Sequence, residues 1–347
     1  MGVRDKSNST IPAWAKGLRR WASVAAEDTD GPGFPGSDAL WSALWKKDLV
    51  ALGEVLKTYP EIISEEFVCR AANGHELRSG RLSRMIVNLG WTDALDVLWQ
   101  AGDRFDLPDK KERLRNQRSY CILEHVIFEG RVPALNRMIK LGVDPNGKKS
   151  SPPSMEILLC GSYQRDSDKE VSSVLAKAGV DPWRKIPTKP NDPIVVALLA
   201  QNRSHAALAL LGCIEDIPSA EMGEKLMRAW LLSTRRAMAG NGVEDSIEIL
   251  KHLYRLNCPP PELKDVAAIG ALPVMSVSDA SVNAHIKIMD FLCDRGYYSV
   301  EDWASIQQTF AQISYEASGV WKAAIEHVRL HEVSTPASSQ HRRVHRL

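Results

Sequence analysis

Apolar residues in this chain come in pairs, and the pairs recur in a fixed phrase. It holds two apolar positions, a gap of two, two more apolar positions, and then a residue that stops a helix, usually glycine. The clearest copies are GWTDALDVLWQAG (Gly90 to Gly102), GRVPALNRMIKLG (Gly130 to Gly142) and AHIKIMDFLCDRG (Ala284 to Gly296). This spacing puts the apolar side chains on one face of a short helix, and the glycine supplies the left-handed residue that ends it. Weaker copies run from Lys47 to Tyr59, Ser167 to Gly179 and Asp245 to Asn257, and Asp192 to Gly212 fits with one residue deleted. Stacked, the sixth column reads Leu52, Leu95, Leu135, Ser172, Leu250 and Met289, and the ninth reads Val55, Leu98, Met138, Leu175, Leu253 and Leu292. The columns lie three apart and share a helix face, so Leu135 and Leu253 are expected to point inward.

The phrase ends, Gly102, Gly142, Gly179, Gly212, Asn257 and Gly296, are spaced by 40, 37, 33, 45 and 39 residues. Units of roughly 33 to 47 residues belong to solenoids built of helix pairs. The residues after the glycine narrow the choice. Gly142-Val143-Asp144-Pro145 and Gly179-Val180-Asp181-Pro182 are identical, and Gly102-Asp103 begins a looser version. With the preceding helix, this resembles the ankyrin repeat, whose second helix and exit read roughly GHLEVVKLLLEAGADPN. The resemblance covers about residues 38–300 and is clearest from Cys121 to Asn146. Where that family opens its first helix with Thr-Pro-Leu-His, this chain has Asp38-Ala39-Leu40-Trp41, Cys121-Ile122-Leu123-Glu124 and Asp192-Pro193-Ile194-Val195. The expected fold class is all-α: an ankyrin-like helical-repeat solenoid of about seven units over residues 38–300, closed by helical caps. Each second helix should end at the glycine or asparagine named above, with few strands.

The flanks do not carry the phrase. Residues 1–37 start polar, pass through an amphipathic piece at 11–26, and end in a glycine and proline cluster that breaks any helix. Trp14, Leu18, Trp21 and Val24 share a face there, with Lys16, Arg19 and Arg20 elsewhere. A basic amphipathic helix of this kind can touch an anionic membrane surface; the preferred reading is a cap over the open face of the first unit. Residues 301–332 place Trp303, Ile306, Phe310, Ile313 and Ala317 at helical spacing and are read as the C-terminal cap. The tail, 333–347, is polar and basic, without periodicity, and is expected to be disordered.

Composition changes this picture little. The chain has 347 residues, 44% hydrophobic and 25% charged, with a net charge of +1, which gives no electrostatic reason to expect nucleic acid. No apolar run approaches the roughly 18 residues of a membrane span, and the N-terminus lacks the apolar stretch of a secretory signal, so a monomeric cytoplasmic protein is expected. Six cysteines stand singly with no Cys-x-x-Cys pair. They are read as small buried hydrophobes rather than zinc ligands, with Cys121 and Cys293 placed inside helices.

No P-loop, nucleophile elbow or His-Glu-x-x-His helix is present in the sequence. His327 and His331 are four apart, a spacing that can bind a metal beside Glu326 or Glu332, but no third ligand is in view. No catalytic residue, metal or cofactor is therefore assigned. The ankyrin resemblance implies instead that the two residues before the turn into each second helix lie on the concave side. These are Trp45 and Lys46, Asn88 and Leu89, and Phe128 and Glu129. One of each pair is large and apolar, which fits either a docking patch for another protein or a face covered by the long loops between units. Trp41 shares a helix face with Trp45, and Trp183 falls either at a loop tip or against its neighbour. The function implied is that of a non-enzymatic scaffold binding a protein through its concave face. A microbial host-directed effector or toxin-neutralising protein would use the same surface. An enzyme with its active residues in the inter-repeat loops is the remaining alternative, and it requires a deep pocket.

Overall fold

The computed structural model describes residues 36–64, 66–70, 76–106, 121–146, 154–160, 166–186, 189–237, 243–270, 279–299, 301–305, 326 and 330. These residues are mostly helical. The chain divides into two compact units, Met1–Ile157 and Leu158–Leu347. Nearly all of both flanking segments read from the sequence, 1–37 and 301–347, lies outside the described residues.

In the first unit, α1 (Ser37–Lys46) and α2 (Leu49–Thr58) lead through a 3-10 turn at Pro60–Ser64 to an antiparallel ribbon of β1 (Glu66–Arg70) and β2 (Glu76–Arg81). Four helices come next: α3 (Leu82–Asn88), α4 (Ala94–Gln100), α5 (Ile122–Phe128) and α6 (Val132–Lys140). Helices α2, α4 and α6 pack in that order as one layer, while α3 and α5 pack on each other and on α4 and α6 respectively. In the second unit, α7 (Asp166–Lys177) precedes a small ribbon of β3 (Lys185–Ile186) and β4 (Lys189–Pro193). Then come α8 (Ile194–Ala200), α9 (Ser204–Cys213), α10 (Ala220–Ala237), α11 (Val243–Arg255), α12 (Leu263–Gly270) and α13 (Asp279–Asp294). Here α7, α9, α11 and α13 pack one after another, and α8, α10 and α12 form the second row.

The apolar columns fill the space between the rows. Leu52, Leu95, Leu135, Leu250 and Met289 are fully buried, as are Leu98, Met138, Leu175, Leu253 and Leu292. Each such side chain contributes about 1.5–3 kcal/mol of transfer free energy, which is why short helices of weak intrinsic stability persist here. Long-range polar ties repeat across the second helices. Arg137 pairs with Asp96 (α6 to α4), Lys287 with Glu244 (α13 to α11), and His205 Nε2 lies 3.6 Å from Asp245 Oδ2 (α9 to α11). In the other row, Trp230 on α10 is fully buried, and its Nε1 donates to the Ser246 carbonyl at 2.8 Å.

Five exits of the second helices share one turn, whereas α2 leaves at Tyr59 with φ −131°. Gly102, Gly142, Gly179, Asn257 and Gly296 all have positive φ. The amide after each donates to the carbonyl five residues back: Asp103 to Leu98, Val143 to Met138, Val180 to Leu175, Cys258 to Leu253 and Tyr297 to Leu292. A left-handed residue succeeded by this bond satisfies helix-terminal carbonyls that would otherwise lack a donor. The Val-Asp-Pro present after two of these glycines makes the same turn both times. Asp144 accepts from the Asn146 amide (2.8 Å), and Asp181 accepts from the Trp183 amide (2.9 Å).

Gly212 departs from the expectation. Helix α9 runs through it to Cys213 and leaves in extended backbone at Ile214. The reason lies on the neighbouring helix: Arg255 Nη2 donates to the carbonyls of Leu211 (2.8 Å) and Ile214 (3.0 Å), so a side chain does the work of the turn. The cysteines also divide. Cys121, Cys258 and Cys293 are buried, but Cys160 and Cys213 are exposed, the latter as the last residue of the α9 end. The side chain of Cys69 is not among those described.

Candidate functional site

The first helices of the first unit also share one turn. Lys47, Gly90 and Gly130 have positive φ, and the next amides, those of Asp48, Trp91 and Arg131, donate back to Ala43, Ile86 and Val126. This turn fixes the direction in which the last residues of α1, α3 and α5 point. Two hydrogen bonds then join the three ends. Lys47 Nζ donates to the Leu89 carbonyl (3.4 Å), and His125 Nε2 donates to Asn88 Oδ1 (3.0 Å). The helix ends that carry the six residues singled out in the sequence are thus linked, α1 to α3 and α3 to α5. Trp45 and Leu89 are half-buried, Phe128 is 39% exposed, and Lys46, Asn88 and Glu129 are exposed. Of the long segments between units that were read as a cover for these helix ends, residues 147–153 lie outside the described residues.

His125 is the site residue that the sequence reading missed. It lies three residues before Phe128 on α5, a spacing that shares a helix face, but its partner is 37 residues away. Burial lowers its pKa to about 4, and Arg84 and Arg131 add to the effect while Glu129 opposes it. The ring is therefore a neutral donor at ordinary pH, set in a positive surrounding field. Lys46 and Arg131 are exposed, while Lys47 and Arg84 are half-buried.

Helix α5 owes its placement to its start. Cys121 Sγ accepts from the Glu124 amide (3.4 Å), and Glu124 Oε2 accepts from the Cys121 amide (3.1 Å). This reciprocal capping box is built from Cys and Glu where Ser or Thr is usual. Cys121 is thus the N-cap rather than a residue inside the helix. Its thiol is pushed up to about 12, by burial first and by the Glu124 charge second, so it stays protonated and is no nucleophile.

Elsewhere the chemistry is sparse. Among the described residues, no group of three or more His, Cys, Asp and Glu could hold a metal ion. His327 and His331 lie outside the described residues, as does the side chain of Trp41. Trp183 is half-buried directly after its turn. Among the described residues, no helix is long and apolar enough to cross a membrane. An arginine-aromatic cluster joins the ends of α11 and α13. The Arg295 guanidinium lies 4.8 Å from the Tyr254 ring centre and 5.5 Å from that of Phe291, while Tyr297 meets Tyr254 edge-on at 5.7 Å. Burial raises the Tyr297 hydroxyl to about 12, which makes it a packing group and not an acid. No family model, curated protein or solved structure matches the chain.

Proposed function

We propose that this chain is a divergent ankyrin-like repeat scaffold without enzymatic activity, and that it binds another protein through the edge formed by the ends of α1, α3 and α5. One observation carries the reading: the ends of α1, α3 and α5 finish in three equivalent turns joined by hydrogen bonds, and each carries a large apolar residue, Trp45 and Phe128 two places before the left-handed residue and Leu89 one place before it. A row of large apolar groups on a pre-formed backbone suits binding, because little conformational entropy is lost on association. The two-row packing within each unit and the shared exit turn support the repeat assignment.

The test is a photo-crosslinking side chain placed at Phe128 in the full chain, with Gln201 of the second unit as control. Adducts to one protein species should form from Phe128 and not from Gln201. Trp45→Ala and Phe128→Ala should each weaken binding of that species by about 1–4 kcal/mol while leaving the melting temperature unchanged. Unfolding of the variants, or equal crosslinking from both positions, would overturn the proposal.

A further inference from the structure

The shared exits of the second helices differ in the residue that enters the turn. Ala101, Leu141, Ala178 and Leu256 stand directly before the left-handed residue in four of them, and Arg295 stands there at the end of α13. The turn therefore needs no cation. Arg295 is exposed, and its guanidinium lies over the rings of Tyr254 (4.8 Å) and Phe291 (5.5 Å). Those two rings meet at 88°, and Tyr297 meets Tyr254 at 74°, so the guanidinium is held in a corner of half-buried aromatic groups.

Stacking uses the faces of a guanidinium and leaves its edge, a planar fork of N–H donors, for hydrogen bonds. That fork has no hydrogen-bond or ion-pair partner among the described residues. Arg104 of the first unit, stacked on Trp99 at 4.6 Å, differs in this respect, because its Nη1 donates to the Asp103 carbonyl at 3.1 Å. The carboxylates that act on the adjoining Tyr298 are Asp265, Asp302 and Glu262. Asp302 accepts from the Ser299 amide at 2.8 Å, Glu262 pairs with Lys264 at 2.5 Å, and none of the three pairs with Arg295.

A guanidinium fork fits a carboxylate through two parallel hydrogen bonds, and one such cation balances one such anion. A phosphate group carries about −1.5 to −2 charges and draws on clustered arginines, whereas this corner supplies one. The rings around the fork offer apolar surface to a neighbour of the carboxylate, and tyrosine with arginine is a composition that dominates binding energies. We infer that the ends of α11 and α13 form a docking site for one Asp or Glu side chain of a partner protein, with an apolar residue beside it. Arg295 supplies the fork, and Tyr254, Phe291 and Tyr297 hold it and receive the apolar neighbour. The site lies in the second unit and does not depend on the edge formed by α1, α3 and α5.

Three blocked peptides test it, each with a central glutamate, glutamine or phosphoserine flanked by leucines. They are titrated into the full chain carrying isotope-labelled arginine, and the readout is the side-chain Nε–H signal of Arg295, assigned by its loss in Arg295→Gln. The glutamate peptide should move that signal to saturation, bind about tenfold more tightly than the glutamine peptide, and bind no more weakly than the phosphoserine one. Arg295→Lys, which keeps the charge and loses the fork, should weaken the glutamate peptide by about tenfold in fluorescence anisotropy, with the melting temperature unchanged. No movement of the signal, equal affinity for glutamine, tighter binding of phosphoserine, or unchanged affinity in Arg295→Lys would overturn the inference.

Discussion

The first helices of one unit and α8 of the other end with the same backbone and dress those ends differently. Lys47, Gly90 and Gly130 in one unit and Asn202 in the other take the same left-handed turn, and each subsequent amide bonds five residues back. Both units also tie the helix end sideways through an asparagine, Asn88 to His125 in one and Asn202 to Ser233 (3.0 Å) in the other. The residues in front of the turn do not match. The first unit has Trp45-Lys46, Asn88-Leu89 and Phe128-Glu129, whereas the second has Ala200-Gln201. Neither the turn nor the tie therefore requires a large apolar group in front of it. Trp45 and Leu89 are half-buried and Phe128 is 39% exposed, so the units differ in side chains that the turn itself does not need.

The features common to both units should be costliest to disturb. Leu135 and Leu253 occupy the common columns, one in each unit, and both are fully buried. Leu135→Ala and Leu253→Ala should each lose about 2–5 kcal/mol in a denaturant titration. Hydrogen exchange should locate the loss first in the unit that carries the change. A loss well below that range at only one position would mean that the units do not share a core pattern.

The exit turn is the next shared device. Gly142 and Gly179 have φ of 89° and 83°, and an added Cβ would meet nothing within 4 Å, so conformation alone asks for glycine. Gly142→Ala and Gly179→Ala should therefore cost about 1–2 kcal/mol each, by similar amounts in the two units. The asparagine variants should cost less, since Asn257 holds the same turn at φ 55°. A marked inequality between the two alanine variants would break the equivalence.

These shared features were the legible ones, because periodicity and left-handed turns are written in neighbouring residues. The columns through Leu95, Leu135 and Leu253 and the exits at Gly142 and Gly179 could be read directly. The starts of the first helices could not. Glu124 caps Cys121 through a sulfur acceptor, which no ordinary capping signature describes. The ribbon from Glu66 to Arg81 and the eighteen-residue α10 carry no copy of the phrase. Gly212 misled because its helix end is satisfied by Arg255, 43 positions away in the sequence. At the candidate site, the six residues were named from the ankyrin resemblance, by their place before a turn. The pairing of His125 with Asn88 needed coordinates.

The two asparagine ties differ in that only the first includes a titrating group, the buried His125. Because the His125 pKa is lowered from 6.5 to about 4 in the folded chain, the unfolded chain binds more protons between those values. Stability should thus fall as pH drops from about 6.5 towards 4, and be regained as pH rises. His125→Gln should remove part of that slope in urea titrations at pH 7 and pH 5. The Asn202–Ser233 tie contains no titrating group, so Ser233→Ala should leave the slope unaltered. A slope untouched by His125→Gln would refute the assignment.

The smallest effect concerns one position where the second unit departs from the common column. Ser172 on α7 stands where the other helices carry Leu52, Leu95, Leu135, Leu250 and Met289; it is fully buried, and its hydroxyl has no hydrogen-bond partner among the described residues. Burying an unsatisfied hydroxyl is unfavourable, so Ser172→Ala should leave stability unchanged or raise it by up to about 1 kcal/mol. Ser172→Leu, which restores the column, should cost about 1–3 kcal/mol if the space around α7 has closed onto the smaller side chain. Thermal melts of both variants distinguish two accounts of the departure. If leucine is accommodated without loss, the packing of the column is the same in both units and serine leaves a void in it. If leucine destabilises while alanine does not, α7 sits closer to its neighbours than the equivalent helices of the first unit do. A loss of more than about 1 kcal/mol from alanine would contradict both, since the hydroxyl would then be supplying a bond that the fold needs.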